Sequence, residues 1–346
     1  MSTAQDPLRH LLDRRLLLFT GKGGVGKSTV VAALAVEAAA RGLRPLIVEL
    51  GHRATMQGIF AGGGANHGAP EIGHEPVPVT ADRTIWAANL DLETSIVDYV
   101  ADQVKLRSVA RAIASNRALQ GLFRAAPAVR EIVTLNKLRL FERAVTRGRP
   151  TWGPILVDLD ATGHALMLLE MPRMIGELLA DGPLRGLVDA LTGLFTDPTR
   201  TLLNLVTLPS EIPVQETLEL YQRLRREHGV PLGALFVNDV PPPAIASELR
   251  PHLPELADLA LRERLPDLAA DVQLAGQAIA RDELVLTLLA RLQREADLPL
   301  ALLPRLTPHE HGLAGLQRLG RAAFTALPPP PTFPRAPVQW DSLENA

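Results

Sequence analysis

Leu16-Leu17-Leu18-Phe19-Thr20-Gly21-Lys22-Gly23-Gly24-Val25-Gly26-Lys27-Ser28-Thr29 reads LLLFTGKGGVGKST, and VVAALAVEAAARG follows it directly at residues 30–42. A short apolar run ahead of glycines reads as a buried strand, and the alanine-rich run closed by Gly42 reads as a helix. Between them, Gly21-x-x-x-x-Gly26-Lys27-Ser28 has the Walker A spacing of a phosphate loop in the strand–loop–helix context that such a loop needs. Its glycines let backbone N–H groups curl around phosphate oxygens, and the helix that follows offers its positive end. Lys27 is expected to reach the β- and γ-phosphates of ATP, and the Ser28 hydroxyl to hold Mg²⁺. Gly21, Lys22, Gly23, Gly24, Val25, Gly26 and Thr29 complete the expected nucleotide cradle. One lysine suffices for that chemistry, yet this loop has two. The chain contains only two more, Lys105 and Lys137.

Outward from the loop, short apolar runs alternate with longer segments of helical period, the pattern of a mostly parallel sheet with helices on both faces. Strands are expected at Leu16–Phe19, Pro45–Leu50, Thr84–Leu90, Ile155–Leu159, Thr201–Leu208, Gly233–Asn238 and Leu298–Leu303. The fold class is therefore α/β, a P-loop nucleoside triphosphatase with a single domain over residues 1–326. Residues 92–148 carry no strand signal and, with 163–196, read as an all-helical insertion. A Gly/Pro-rich stretch at 61–80 reads as a mobile loop, and the proline-rich 328–346 as a disordered tail. A magnesium site in such a protein needs a carboxylate at the end of a second buried strand, and PILVDLD supplies Asp158.

Composition narrows the function classes. With 36 basic against 38 acidic residues there is no global field for nucleic acid, so nucleic acid is not an expected partner. No apolar run approaches the roughly 18 residues of a membrane span, and the N-terminus lacks a secretory signal. A cytoplasmic location is expected. The 346 residues include no cysteine, which removes disulfides, thiolate zinc sites and any soft thiol site for arsenite.

The loop GKGGVGKST, with Lys22 just after its first glycine, resembles the deviant Walker A signature of dimeric ATPases that include the arsenical-pump and tail-anchored-protein-targeting ATPases, MinD and ParA. Several features resemble the first of these branches. They are Thr162-Gly163-His164 after the strand aspartate, LPSEIPVQETLEL at 208–220, Asn238 after an apolar strand, LPRLTPHEHGL at 303–313, and the helical insertion. The resemblance implies ATP and Mg²⁺ as cofactors and a homodimer or a heterodimer with a related ATPase subunit. It implies that Lys22 acts across that dimer, that Thr162, Gly163 and His164 respond to the γ-phosphate, that Asn238 reads adenine, and that the loop from Pro304 closes over the base. Glu216 reads as an ordinary first-turn carboxylate outside the site.

The sequence departs from the family in its first switch segment, where VELGHRATMQGIF places Gly51, beside His52, at the position of the family's water-orienting aspartate. Glu49, still inside the strand, reads as facing the sheet or backing the magnesium shell rather than replacing the base, and Asp160 is another candidate substitute. A structural role is the reading taken for both, since a base must reach its water. Weak or partner-dependent hydrolysis is therefore expected, with this chain resembling the divergent subunit of a pair. Met167, Met171 and Met174 share a helical face; core packing explains them better than a groove for a hydrophobic client. Two other readings remain: a non-catalytic nucleotide-binding scaffold subunit, and a positioning ATPase like MinD or ParA.

Overall fold

The computed structural model describes residues 8, 10–50, 55–61, 71–90, 94–95, 127–159, 170–172, 174, 176, 181–227, 229–310 and 312–325. Eight strands form one sheet: β1 (Leu16–Thr20), β2 (Leu46–Leu50), β3 (Val77–Pro78), β4 (Trp86–Leu90), β7 (Ile155–Asp158), β8 (Thr201–Thr207), β9 (Leu232–Val240) and β10 (Leu300–Pro304). Their order is β10-β9-β8-β1-β7-β2-β4-β3, parallel throughout except for β3, which pairs antiparallel with β4. A separate two-stranded ribbon, β5 (Val145–Thr146) with β6 (Arg149–Pro150), precedes β7. The seven long strands coincide with the seven apolar runs of the sequence to within a few residues.

Burial on both faces explains why these strands are continuously apolar rather than alternating. Leu16 and Leu18 of β1 enter one core with helices α3 (Pro127–Arg143), α4 (Pro183–Thr196), α5 (Glu211–Glu227) and the end of α7 (Pro266–Glu295). Leu17 and Phe19 enter the opposite core with α1 (Lys27–Ala40), Met56 of α2 (Thr55–Ala61) and α8 (Leu313–Ala322). Helix α1 lies between sheet and α8, so its apolar residues surround it almost completely. At the α1–α8 crossing a Cβ on Gly320 would stand 2.6 Å from the carbonyl oxygen of Ala33, a separation only glycine allows. Helix α6 (Leu253–Arg262) packs along α7.

Two local expectations are revised. Residues 71–80 form ordered structure: Ile72 is buried and donates its N–H to Gln57, and Val77–Pro78 add an edge strand. Two residues cannot show an alternating pattern, so β3 had no signal in sequence. The segment ending at 148 likewise closes in the β5–β6 ribbon, whose turn uses Arg147 and Gly148 at φ 53° and 76°. Of the expected helical insertion, helix is described at 94–95, 127–143, 170–172, 174, 176 and 183–196; the rest of 92–126 and of 163–180, together with 62–70 and the tail from 326, lie outside the described residues. Met171 packs in the core as the packing reading expects, Met174 is exposed, and Met167 lies outside the described residues.

Candidate functional site

The parallel strands bring their C-terminal ends together at one edge of the sheet, where ligands of open α/β folds bind. Strand β1 is central, flanked by β8 and β7, and its register sets Phe19 beside Asp158. On the far side of β7 the register sets Asp158 beside Glu49 of β2. The turn that leaves β1, the carboxylate ending β7 and the carboxylate ending β2 are thus neighbours by strand pairing alone.

The loop from Gly21 to Gly26 leads into α1 with Gly26 as its N-cap in left-handed conformation, φ 85°. A Cβ at Gly21 would stand 2.2 Å from the carbonyl oxygen of Val206, so the loop starts pressed against the end of β8. At Gly23 and Gly24, chain neighbours aside, no atom of the described residues lies within 4 Å of that position, so among them the outer side of the loop is open. Lys27 folds back over the loop, its Nζ donating to the carbonyl oxygens of Gly21 at 3.1 Å and Lys22 at 3.3 Å. The Ser28 hydroxyl donates to Asp158 Oδ2 at 2.5 Å. A hydroxyl and a carboxylate, both hard oxygen donors, are brought together beside a phosphate cradle, and this donor set fits Mg²⁺, which keeps several waters and uses one or two carboxylates with substrate phosphates. Among the described residues no cluster of three or more His, Cys, Asp or Glu side chains could hold a metal by itself.

Asn238 near the end of β9 turns its amide toward the same loop. Its Nδ2 donates to the Val25 carbonyl oxygen at 3.0 Å and would lie 2.2 Å from a Cβ at Gly26. Pro304 ends β10, and the adjoining Arg305 pairs through two parallel hydrogen bonds with Asp239, at 2.9 and 3.0 Å. Beyond them an open hollow of about 780 Å³ lies between the start of α5, the loop after β9 and α7, with Ile212, Pro241 and Leu284 among its apolar walls. Gly51, His52, Asp160, Thr162, Gly163 and His164 lie outside the described residues.

Two side chains at this edge are not among the expected site residues. Lys22 Nζ lies 2.5 Å from Oε1 of Glu216, on the second turn of α5, in the same chain. Glu49 is almost fully buried, and its Oε1 accepts the N–H groups of Thr55 at 2.7 Å and Met56 at 3.1 Å, capping α2. Burial, opposed by those hydrogen bonds and reinforced by the charge of Asp158, pushes the Glu49 carboxyl up to about 7 from 4.5. For Glu216 the stretch LPSEIPVQETLEL was a signal, but nothing in local spacing ties it to a lysine 194 positions away.

A parallel sheet whose central strand passes through a glycine-rich loop into a buried helix, with an aspartate ending the neighbouring strand, is the fold of the P-loop nucleoside triphosphatases. The chain matches the anion-transporting ATPase family over residues 14–182, just under half of its length. It is similar to ATPase BagA of Mycobacterium tuberculosis, 30% identical over 228 residues that make up 65% of this chain and 64% of the relative. It is also similar to the arsenical pump-driving ATPase of Acidiphilium multivorum, 28% identical over 66% of this chain and 40% of the relative. A third relative is ATPase GET3C of Arabidopsis thaliana, 23% identical over 66% and 68% of the two chains. The match therefore spans just under two thirds of the mycobacterial relative and less than half of the arsenical-pump one.

Proposed function

We propose that this chain binds Mg·ATP at the edge formed by β1, β7 and β9 and acts as a nucleotide-gated, dimer-forming ATPase whose turnover is weak or depends on a partner subunit. The observation that carries the reading is the Ser28–Asp158 contact beside the open glycine loop, because it unites the donors for cation and phosphate in one place. In this reading the loop amides and Lys27 hold the phosphates, Ser28 and Asp158 hold Mg²⁺, and Asn238 and the segment from Pro304 border the adenine. When bound, the cation supplies charge to the phosphate oxygens, while this chain's residues orient them and exclude competing geometries. Lys22 acts on nucleotide across the dimer, and Thr162, Gly163 and His164 respond to the γ-phosphate. Hydrolysis is limited because Gly51 offers no carboxylate to position water. Arsenite is not the cargo of a thiolate site in this sequence, which has no cysteine.

Binding of a fluorescent ATP analogue with and without Mg²⁺, followed by turnover of the chain alone, tests this reading. Magnesium-dependent binding with slow turnover is expected; tight binding that ignores Mg²⁺, or no binding, overturns it. A second reading, a scaffold subunit that binds nucleotide without hydrolysing it, is favoured by Gly51. Gly51→Asp separates the two: a gain in turnover supports a weakened catalytic site, and no gain supports the scaffold.

A further inference from the structure

Glu49 is a costly residue at its position. A carboxylate taken out of water must be compensated, yet only one of its oxygens is. Oε1 accepts the Thr55 and Met56 N–H groups, whereas Oε2 is buried and, among the described residues, has no hydrogen-bond partner. Strand register sets Glu49 directly beside Asp158, whose carboxylate meets the Ser28 hydroxyl. Capping α2 explains one oxygen, and an asparagine or glutamine would do that work without a second acidic group beside the first. Two neighbouring carboxylates are tolerated where a cation or its hydration shell stands between them.

We propose that Glu49 is a positioning residue for the divalent cation: its unpartnered oxygen accepts hydrogen bonds from cation-bound water, while its bonded oxygen ties the cation to the first turn of α2. Asp158 is then the direct ligand and Glu49 orders the water around it. Outer-shell groups of this kind commonly set metal affinity by about 10–100-fold. The inference rests on the proposed Mg·ATP site.

The test measures binding of Mn²⁺, followed by electron paramagnetic resonance, to the full chain saturated with a non-hydrolysable ATP analogue. Glu49→Gln keeps an oxygen for the Thr55 and Met56 N–H groups but removes the charge. It is expected to weaken Mn²⁺ binding about tenfold or more, leave cation-free nucleotide binding unchanged, and leave the cation-free melting temperature equal or higher. Glu49→Asp, which retains the charge, is expected to recover most of the affinity. Mn²⁺ affinity within twofold of wild type in Glu49→Gln would overturn the proposal and reduce Glu49 to a helix cap. Failure of the wild-type chain to bind the analogue at all is a different result, which removes the Mg·ATP site and this inference with it.

Discussion

Lys22 and Glu216 stand 2.5 Å apart, Nζ to Oε1, although 194 positions separate them in the chain. The lysine of the loop that phosphate binding does not use is held by a carboxylate of its own subunit, on a helix that packs against the far face of the sheet. Both side chains are nearly half exposed, so the pair contributes about 1 kcal/mol or less to stability. A contact that weak can be exchanged for another without disturbing the fold. Lys22→Ala is therefore expected to leave the urea midpoint almost unchanged while abolishing nucleotide-driven association, read by sedimentation. Glu216→Gln is expected to strengthen that association by releasing the ammonium; equal or weaker association would show that Glu216 does not restrain Lys22.

In the proposed site Lys27 serves the phosphates and Ser28 the cation, so variants of the two should behave differently. Lys27→Met is expected to weaken ATP binding roughly 10–100-fold, the value of a charged hydrogen bond lost to a phosphate. Ser28→Ala is expected to leave affinity in chelator unchanged and to remove most of the gain that Mg²⁺ provides. Titrations of a fluorescent nucleotide under the two conditions distinguish them.

Gly26 meets two constraints at once, a left-handed φ of 85° and a Cβ position 2.2 Å from Asn238 Nδ2. Gly26→Ala should destabilise the chain by about 1–3 kcal/mol through backbone strain together with that clash. Adding Asn238→Ala should relieve the clash but not the strain, so the double variant loses less than the two single variants combined. Denaturant unfolding of the four forms completes the cycle; simple additivity would mean that the two residues do not press on each other.

Glu49 makes stability depend on pH in cation-free protein. Its folded value of about 7 lies above the ordinary 4.5, chiefly because burial disfavours the charge. Between those values the native chain holds a proton that the unfolded chain has released, so stability falls as pH rises through that window and levels off above it. The fall is on the order of 3 kcal/mol at most, from a shift of that size. Unfolding in chelator across the window should show the slope, and Glu49→Gln should flatten it.

The sequence made the sheet legible because its central strands are buried on both faces and so announce themselves as apolar runs, as Ile155–Val157 does. The phosphate loop was legible for a different reason: glycines at Gly21 and Gly26 are required by close approach and left-handed backbone, and those requirements recur at fixed spacing. What stayed hidden depends on strand order. Nothing local says that β7 lies between β1 and β2, and only that insertion sets Asp158 beside both Phe19 and Glu49. Glu49 accordingly stood out only as a nearby strand carboxylate with no identified partner, and Glu216 as one more acidic residue near a helix start. The ribbon at 145–150 and the edge strand at 77–78 escaped because two-residue strands have no period to detect.

Helix α7 is 30 residues long, roughly 45 Å at the usual rise per residue. Its C-terminal end is fastened to α5 where Arg291 donates to Gln215 at 2.6 Å, one residue from the partner of Lys22. Its opposite tip, with α6, carries the exposed leucines Leu259, Leu261, Leu265 and Leu274. Such a rod is a lever with its fulcrum beside the loop: a tilt of about 5° at the fastened end carries the leucine tip roughly 4 Å. A rigid helix of this length converts a small tilt at its fastened end into a larger displacement at its leucine tip.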